Sequence, residues 1–365
     1  MKYALSLLSV ATGLLLLVGC SEKFKVAAPY KNITVVYALI DISDTAHYIR
    51  IQKAFLDNDK SSVTMSQNPD SSFYSHLNVR INRYKAVSGT PVIYDTIHLT
   101  RVDLNAEGYP KQQGAFFTAP NYAYKFTNKL SPAYIYRLVI TNLTTGEVDS
   151  ADAPIIDSNM STFSSAPVDN AVTSRSLDFF SGSPNKFTLI SGSYQPPSNF
   201  YFNGLNSPVA IAQAIIRFNW IDSNTVTNAK SSHSSDLDAG YLPFDNASSN
   251  TVKFQITHLN MCTALANGMG AAPANTVRLL APCDIYFYVS TQDFYTYETI
   301  AATKGTGLTG SEVEPTYTNI QGANVLGLYT SRSVRSGSVP VTEKTLDSIM
   351  VNPIFSQTNL KGRAH

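Results

Sequence analysis

Few residues in this chain have the types and spacing that chemistry requires. Six histidines, His47, His76, His98, His233, His258 and His365, are scattered, and no two stand at metal-ligand spacing. There is no His-Glu-x-x-His pair to hold zinc beside a general base, and no Gly-x-Ser-x-Gly elbow to present a serine nucleophile. The Ser-Gly-Ser steps at Ser181–Ser183 and Ser191–Ser193 read as turns in a loop-rich β protein. Asp236-Leu237-Asp238-Ala239-Gly240 has two carboxylates ahead of a glycine, as half a calcium loop does. The further oxygens and the closing carboxylate are missing, so it reads as a solvated loop. Nor does a glycine-rich phosphate cradle follow any strand. The expectation is a protein without catalytic residues, metal or cofactor.

The cysteines are more informative. Cys20 closes Leu17-Val18-Gly19-Cys20, after an apolar run from Ala4 to Val18 that follows Lys2. A positive start, an apolar stretch and a small residue before the break are the physical features of an export signal. The run is shorter than the ~20 residues that cross a bilayer. The tetrad resembles the lipobox of bacterial lipoproteins. The resemblance implies cleavage after Gly19 and acylation of the Cys20 thiol, with palmitate-like chains that hold the protein at a membrane at about 0.8 kcal/mol per buried CH₂. Ser21 in place of Asp implies, by likeness to lipoprotein sorting, the outer membrane rather than the inner one. In such an oxidising compartment Cys262 and Cys283 form an even pair. A disulfide there would close a loop of about 20 residues and stabilise by roughly 3 kcal/mol. The alternative is two buried thiols acting as small hydrophobes.

Removing residues 1–19 takes Lys2 and no acid from a chain with 27 Lys and Arg against 26 Asp and Glu, so the mature chain is formally neutral. Neutrality excludes the electrostatic footprint of a nucleic-acid binder. Charged residues are only 15 % of the chain while Tyr (21) and Phe (18) are abundant, which favours sheets over helices.

The pattern along the chain divides it into a signal peptide (1–19), a lipidated tether (20–29), a β-sandwich domain (30–157), a β-rich domain (158–356) and a frayed end (357–365). Ile33–Ile40 and His47–Phe55 are strand-like, the second with near period-2 alternation. Further strands are expected at 77–84, 92–99, 114–118, 122–126, 133–142 and 147–153, with a hairpin turn at Thr144-Thr145-Gly146. This spacing predicts an antiparallel, immunoglobulin-like sandwich. The second domain reads as a curled sheet or open barrel with one short helix at Leu259–Gly268, while 292–302 reads as either a second helix or an extended aromatic segment. The polar stretch 224–245 reads as a long loop.

Two aromatic groups could bind a partner or stack on sugars. Tyr194, Phe200, Tyr201 and Phe202 lie between Pro196-Pro197 and Gly204, and this setting favours exposure. Phe287, Tyr288, Phe294, Tyr295 and Tyr297 form the other, for which core packing is the competing use.

The order of these segments carries a wider resemblance. Extended Val-Val-Tyr and Ile-Arg-Ile strands follow the lipobox closely. Later come Asp284–Ser290, Gln292–Tyr297, Glu314–Ile320 and the glycine-bearing strand Leu326-Gly327-Leu328-Tyr329. The layout resembles Bacteroidota lipoproteins of a domain-of-unknown-function family often encoded near TonB-dependent receptors. It implies a non-enzymatic outer-membrane lipoprotein that partners such a transport system; the alternative is a surface glycan-binding lipoprotein. Asn319 reads as a turn cap, and Gly327 as a place where a strand bends or another backbone approaches. Cys20→Ala should move the protein from the membrane fraction to the soluble fraction and abolish radiolabelled palmitate incorporation.

Overall fold

The computed structural model describes residues 33–54, 62–87, 90–156, 160–164, 177, 186–194, 209–244, 251–303 and 317–364. Cys20, the signal segment, the tether and Phe200, Tyr201 and Phe202 lie outside the described residues; Tyr194 is the last residue of a strand.

The chain is mainly β, as its composition predicts, and no barrel closes among the described residues. The first half holds β1 (Ile33–Asp41), β2 (His47–Ala54), β3 (Leu77–Val87), β4 (Thr90–His98), β5 (Thr100–Asp103), β6 (Tyr122–Phe126), β7 (Ile135–Asn142) and β8 (Val148–Pro154), with two short helical turns, α1 (Ser62–Ser66) and α2 (Pro69–Ser72). Then follow β9 (Met160–Ser164), β10 (Lys186–Tyr194), β11 (Val209–Asn224), β12 (Lys230–Pro243), β13 (Thr251–Thr257), α3 (His258–Met269), β14 (Thr276–Leu280), β15 (Cys283–Thr291), α4 (Gln292–Thr303), β16 (Val325–Val339), α5 (Glu343–Val351) and β17 (Leu360–Arg363).

One large sheet runs β17-β14-β11-β15-β16-β1-β2-β6-β5, with β12 on the other edge of β11. It crosses the chain position near 157, because β1 pairs in parallel with β16, Thr34 opposite Val325. β14 and β17 are also parallel, so this sheet is mixed rather than purely antiparallel. A four-stranded sheet, β4-β3-β7-β8, and a three-stranded sheet, β13-β10-β9, accompany it.

The inner face of the large sheet has two covers. Val36, Ala38, Ile40, Ile49 and Ile51 pack against Val79, Ile81, Tyr136, Leu138 and Ile140 of the four-stranded sheet, which makes the sandwich. On the other half, Phe218, Ile285 and Phe287 pack against Phe254, Met261, Leu265 and Ile349, contributed by β13, α3 and α5. Thr257 caps α3 by accepting from the Asn260 N–H at 3.1 Å, and Gly270 ends it at φ 61°.

Three expectations are corrected. The 224–245 stretch is not a long loop; most of it is β12, a hairpin partner of β11. As an edge strand it has no fully buried face, so its Ser, His and Asp residues give no apolar alternation. Residues 114–118 form no strand. The end is not frayed from 357: β17 pairs with β14, and Leu360 is buried. Cys262 and Cys283 are free, buried thiols, so the small-hydrophobe reading describes them.

Gly327 makes the β1–β16 pairing possible. Its φ is 123°, and a Cβ there would lie 1.8 Å from the Val36 carbonyl oxygen. Gly327→Ala should cost about 3 kcal/mol or more, read as a fall in the urea midpoint. Gly240→Ala, at φ 80° with nothing within 4 Å of the added carbon, should cost only about 1 kcal/mol.

Candidate functional site

Strand alternation places opposite side chains on the outer face of the large sheet. Tyr37, Leu39 and Asp41 of β1 stand opposite Leu328, Thr330 and Arg332 of β16. Arg332 stands opposite Ser290 of β15, and Tyr37 opposite Arg50 of β2. This face carries a chain of cations and rings. Arg217 pairs with Asp236 at 2.8 Å and lies 5.2 Å from the Tyr286 ring centre. Tyr286 stacks on Tyr288 at 6.3 Å, and the Arg332 guanidinium lies 5.1 Å from the Tyr288 ring. Arg332 then meets Asp41, which is 2 % exposed, at 3.4 Å. The Ser43 hydroxyl and N–H also donate to the Asp41 carboxylate, at 2.7 and 3.0 Å.

Beyond Arg332 opens a cleft of about 370 Å³, lined by Tyr37, Leu39, Asp44, His47, Tyr48, Arg50, Leu104 and Arg332 among others. That volume lies in the usual range for a small-molecule site. The connection from β5 to β6 forms one rim. There Tyr109, 59 % exposed, meets Tyr48 edge to face at 5.6 Å. The Tyr48 hydroxyl donates to Glu107 at 2.9 Å, and Lys125 donates to the same carboxylate oxygen. Arg50 donates to Oδ1 of the buried Asn121 at 2.7 Å. Asn121 is itself fixed: its N–H donates to Asp103, and its side-chain amide donates to the Tyr109 carbonyl.

The cleft's electrostatics are uneven. Burial, then the charge of Asp41, pushes the Asp44 carboxyl up, against a pull from His47 and Arg332. Burial lowers the Arg50 guanidinium and the Lys111 ammonium. Burial also lowers His47, whose ring packs 4.7 Å from that of Phe126.

Helix α4 covers the middle of the outer face. Phe294 is buried there with Ile211 and Leu328, and Tyr297 lies 6.3 Å from Tyr37. Asp293 accepts from the Tyr317 hydroxyl at 2.6 Å and from the Asn319 amide at 3.0 Å. The Asn319 side chain also exchanges hydrogen bonds with the Tyr329 backbone, so it ties chain to strand rather than capping a turn.

The aromatic group predicted at 287–297 is therefore split. Phe287 belongs to the inner core, Phe294 is the residue by which α4 packs on the sheet, and Tyr288, Tyr295 and Tyr297 are part-exposed on the outer side. Sequence reasoning missed Tyr37, Tyr48, Arg50 and Arg332 as site residues. The near period-2 pattern of β2 put Tyr48 and Arg50 on one face, which was the available signal. Their meeting with Arg332 depends on a pairing between distant strands.

A second constellation joins Ser231, His233 and Asp222. His233 Nε2 lies 2.9 Å from the Ser231 hydroxyl and 3.7 Å from Asp222. Both contacts use one nitrogen, whereas a Ser-His-Asp relay needs both. Asp222 is already committed to the buried Arg278 at 3.0 Å. Among the described residues no group of three or more His, Cys, Asp or Glu side chains is placed to hold a metal, and no helix is long and apolar enough to cross a membrane.

Compared with known proteins, the chain matches no family model and no curated sequence. The cleft itself carries the functional reading.

His47 yields a pH test. It is 2 % exposed, and its folded value lies below the ordinary 6.5. Between that lowered value and 6.5 the unfolded chain binds a proton that the folded chain does not. Stability should therefore fall as pH drops from 7 to 5, by at most about 1.4 kcal/mol per pH unit for this group. His47→Phe should flatten that slope in urea titrations.

Proposed function

We propose that the chain is a non-enzymatic, lipid-anchored binding protein of the outer membrane. It captures a glycan in the cleft beside Arg332 and works as an accessory of a TonB-dependent transport system. The observation that carries the reading is the cleft's lining: part-exposed tyrosine rings beside charged side chains whose donors and acceptors are fixed in place. A sugar presents apolar C–H faces to rings and a ring of hydroxyls to such groups, and the cleft supplies both kinds of partner.

The anchor supports the same reading through geometry. A chain lipidated at Cys20 would reach the fold at the start of β1. The cleft is built around the far half of that strand and the turn after it, where Leu39, Ile40, Asp44 and Ala46 line the wall. The cleft thus lies towards the end of β1 away from such an anchor.

Tyr48→Ala in the detergent-solubilised protein should weaken binding of an oligosaccharide found by array screening by about tenfold, or about 1.4 kcal/mol, with an unchanged circular dichroism spectrum. Silence across a broad array, together with co-purification of an outer-membrane receptor, would replace glycan capture with direct partnership. Full uptake after gene deletion would sink the transport role.

A further inference from the structure

The cleft has an acidic end and a basic end. At the acidic end stand Asp41 and Asp44, with Arg332 between them and the ring ladder. Asp41 is committed to Arg332 and to Ser43. Asp44, on the cleft wall, is the carboxylate left to accept from a ligand. At the other end is Arg50, opposite Tyr37 in the sheet. One of its five N–H donors goes to the neutral amide oxygen of Asn121. Among the described residues no carboxylate offsets its burial.

Lys111 adds a second cation on the neighbouring connection. Its ammonium lies 4.5 Å from the Phe117 ring centre and 5.2 Å from that of Phe116, and Asn121, which accepts from Arg50, donates to the Tyr109 carbonyl two residues before Lys111, which sets the two cations on one rim. The other carboxylates of this rim are engaged. Glu107 accepts from Lys125 and Tyr48, and Asp103 accepts from the backbone N–H groups of Asn105 and Asn121. Two partly desolvated like charges destabilise one another, and an anion placed between them relieves that repulsion.

We propose that the cleft selects anionic over neutral sugars, with a carboxylate or sulfate of the ligand seated on Arg50 beside Lys111 and its hydroxyls directed to Asp44. This rests on the glycan reading and adds the ligand's charge. A guanidinium donates two parallel hydrogen bonds to either anion. The sugar ring between anion and hydroxyls would lie along Tyr48 and Tyr37, which line the same wall.

The test is calorimetry on the detergent-solubilised full chain with three oligosaccharides of equal length: an oligogalacturonate, a sulfated galactan and a neutral galactan. One anionic probe should bind at least tenfold tighter than the neutral one and weaken as salt rises, and the better of the two identifies the anion. Arg50→Gln and, separately, Lys111→Gln should each bring the anionic-to-neutral ratio towards one. The second variant sits on a surface connection and keeps the test usable if the first fails to fold. Equal affinity for all three, or a ratio unchanged in folded variants, overturns the charge selection while leaving glycan capture standing. Binding of none overturns both.

Discussion

The parallel pairing of β1 with β16 is the constraint on which the rest of the molecule depends. It places β1, at the start of the described chain, between β16, from near its end, on one side and β2, the next strand, on the other. Without it the sandwich half and the helix-backed half would be separate sheets, each with an open edge. The pairing requires one residue without a side chain, because the Val36 carbonyl occupies the space that a Cβ at position 327 would need. It also brings Arg332 beside Asp41, and so sets the charge at the centre of the outer face.

The two faces of the large sheet obey different rules. The inner face follows hydrophobic burial, and its two covers need share nothing beyond an apolar surface. The outer face is only partly covered, by α4, and is otherwise organised by pairing between charges and rings. Helix α4 is held by Asp293, which receives Tyr317 and Asn319. These three residues come from two of the segments in the family-like order read from the sequence. In the structure they meet at one point, and their work is to fix a helix on a sheet.

Most of the strands in the first half were legible because each turn and each alternating run lies within a few residues. The β7–β8 hairpin around Thr144-Thr145-Gly146 and helix α3 are examples, the latter running past the expected stop at Gly268 to Gly270. Gly327 was legible as a close approach, though the backbone approaching it was not. β12 and β17 were hidden for a common reason. Each lies on a sheet edge, where pairing satisfies the backbone and side chains need no alternation. The cleft was hidden for another. Tyr37 and Arg50 belong to neighbouring strands and share a visible face, but Arg332 joins them across nearly the whole sequence. The group at 200–202, singled out for its proline-flanked setting, lies outside the described residues.

The hydrophilic edge hairpin bears on how copies of this chain meet. Where copies of a chain meet at high local concentration, a bare apolar sheet edge lets them zip together. β12 carries Lys230, His233, Asp236 and Asp238 along that edge, so pairing a second copy there would strip water from charged side chains. Such an edge disfavours edge-to-edge pairing and the aggregation it would start.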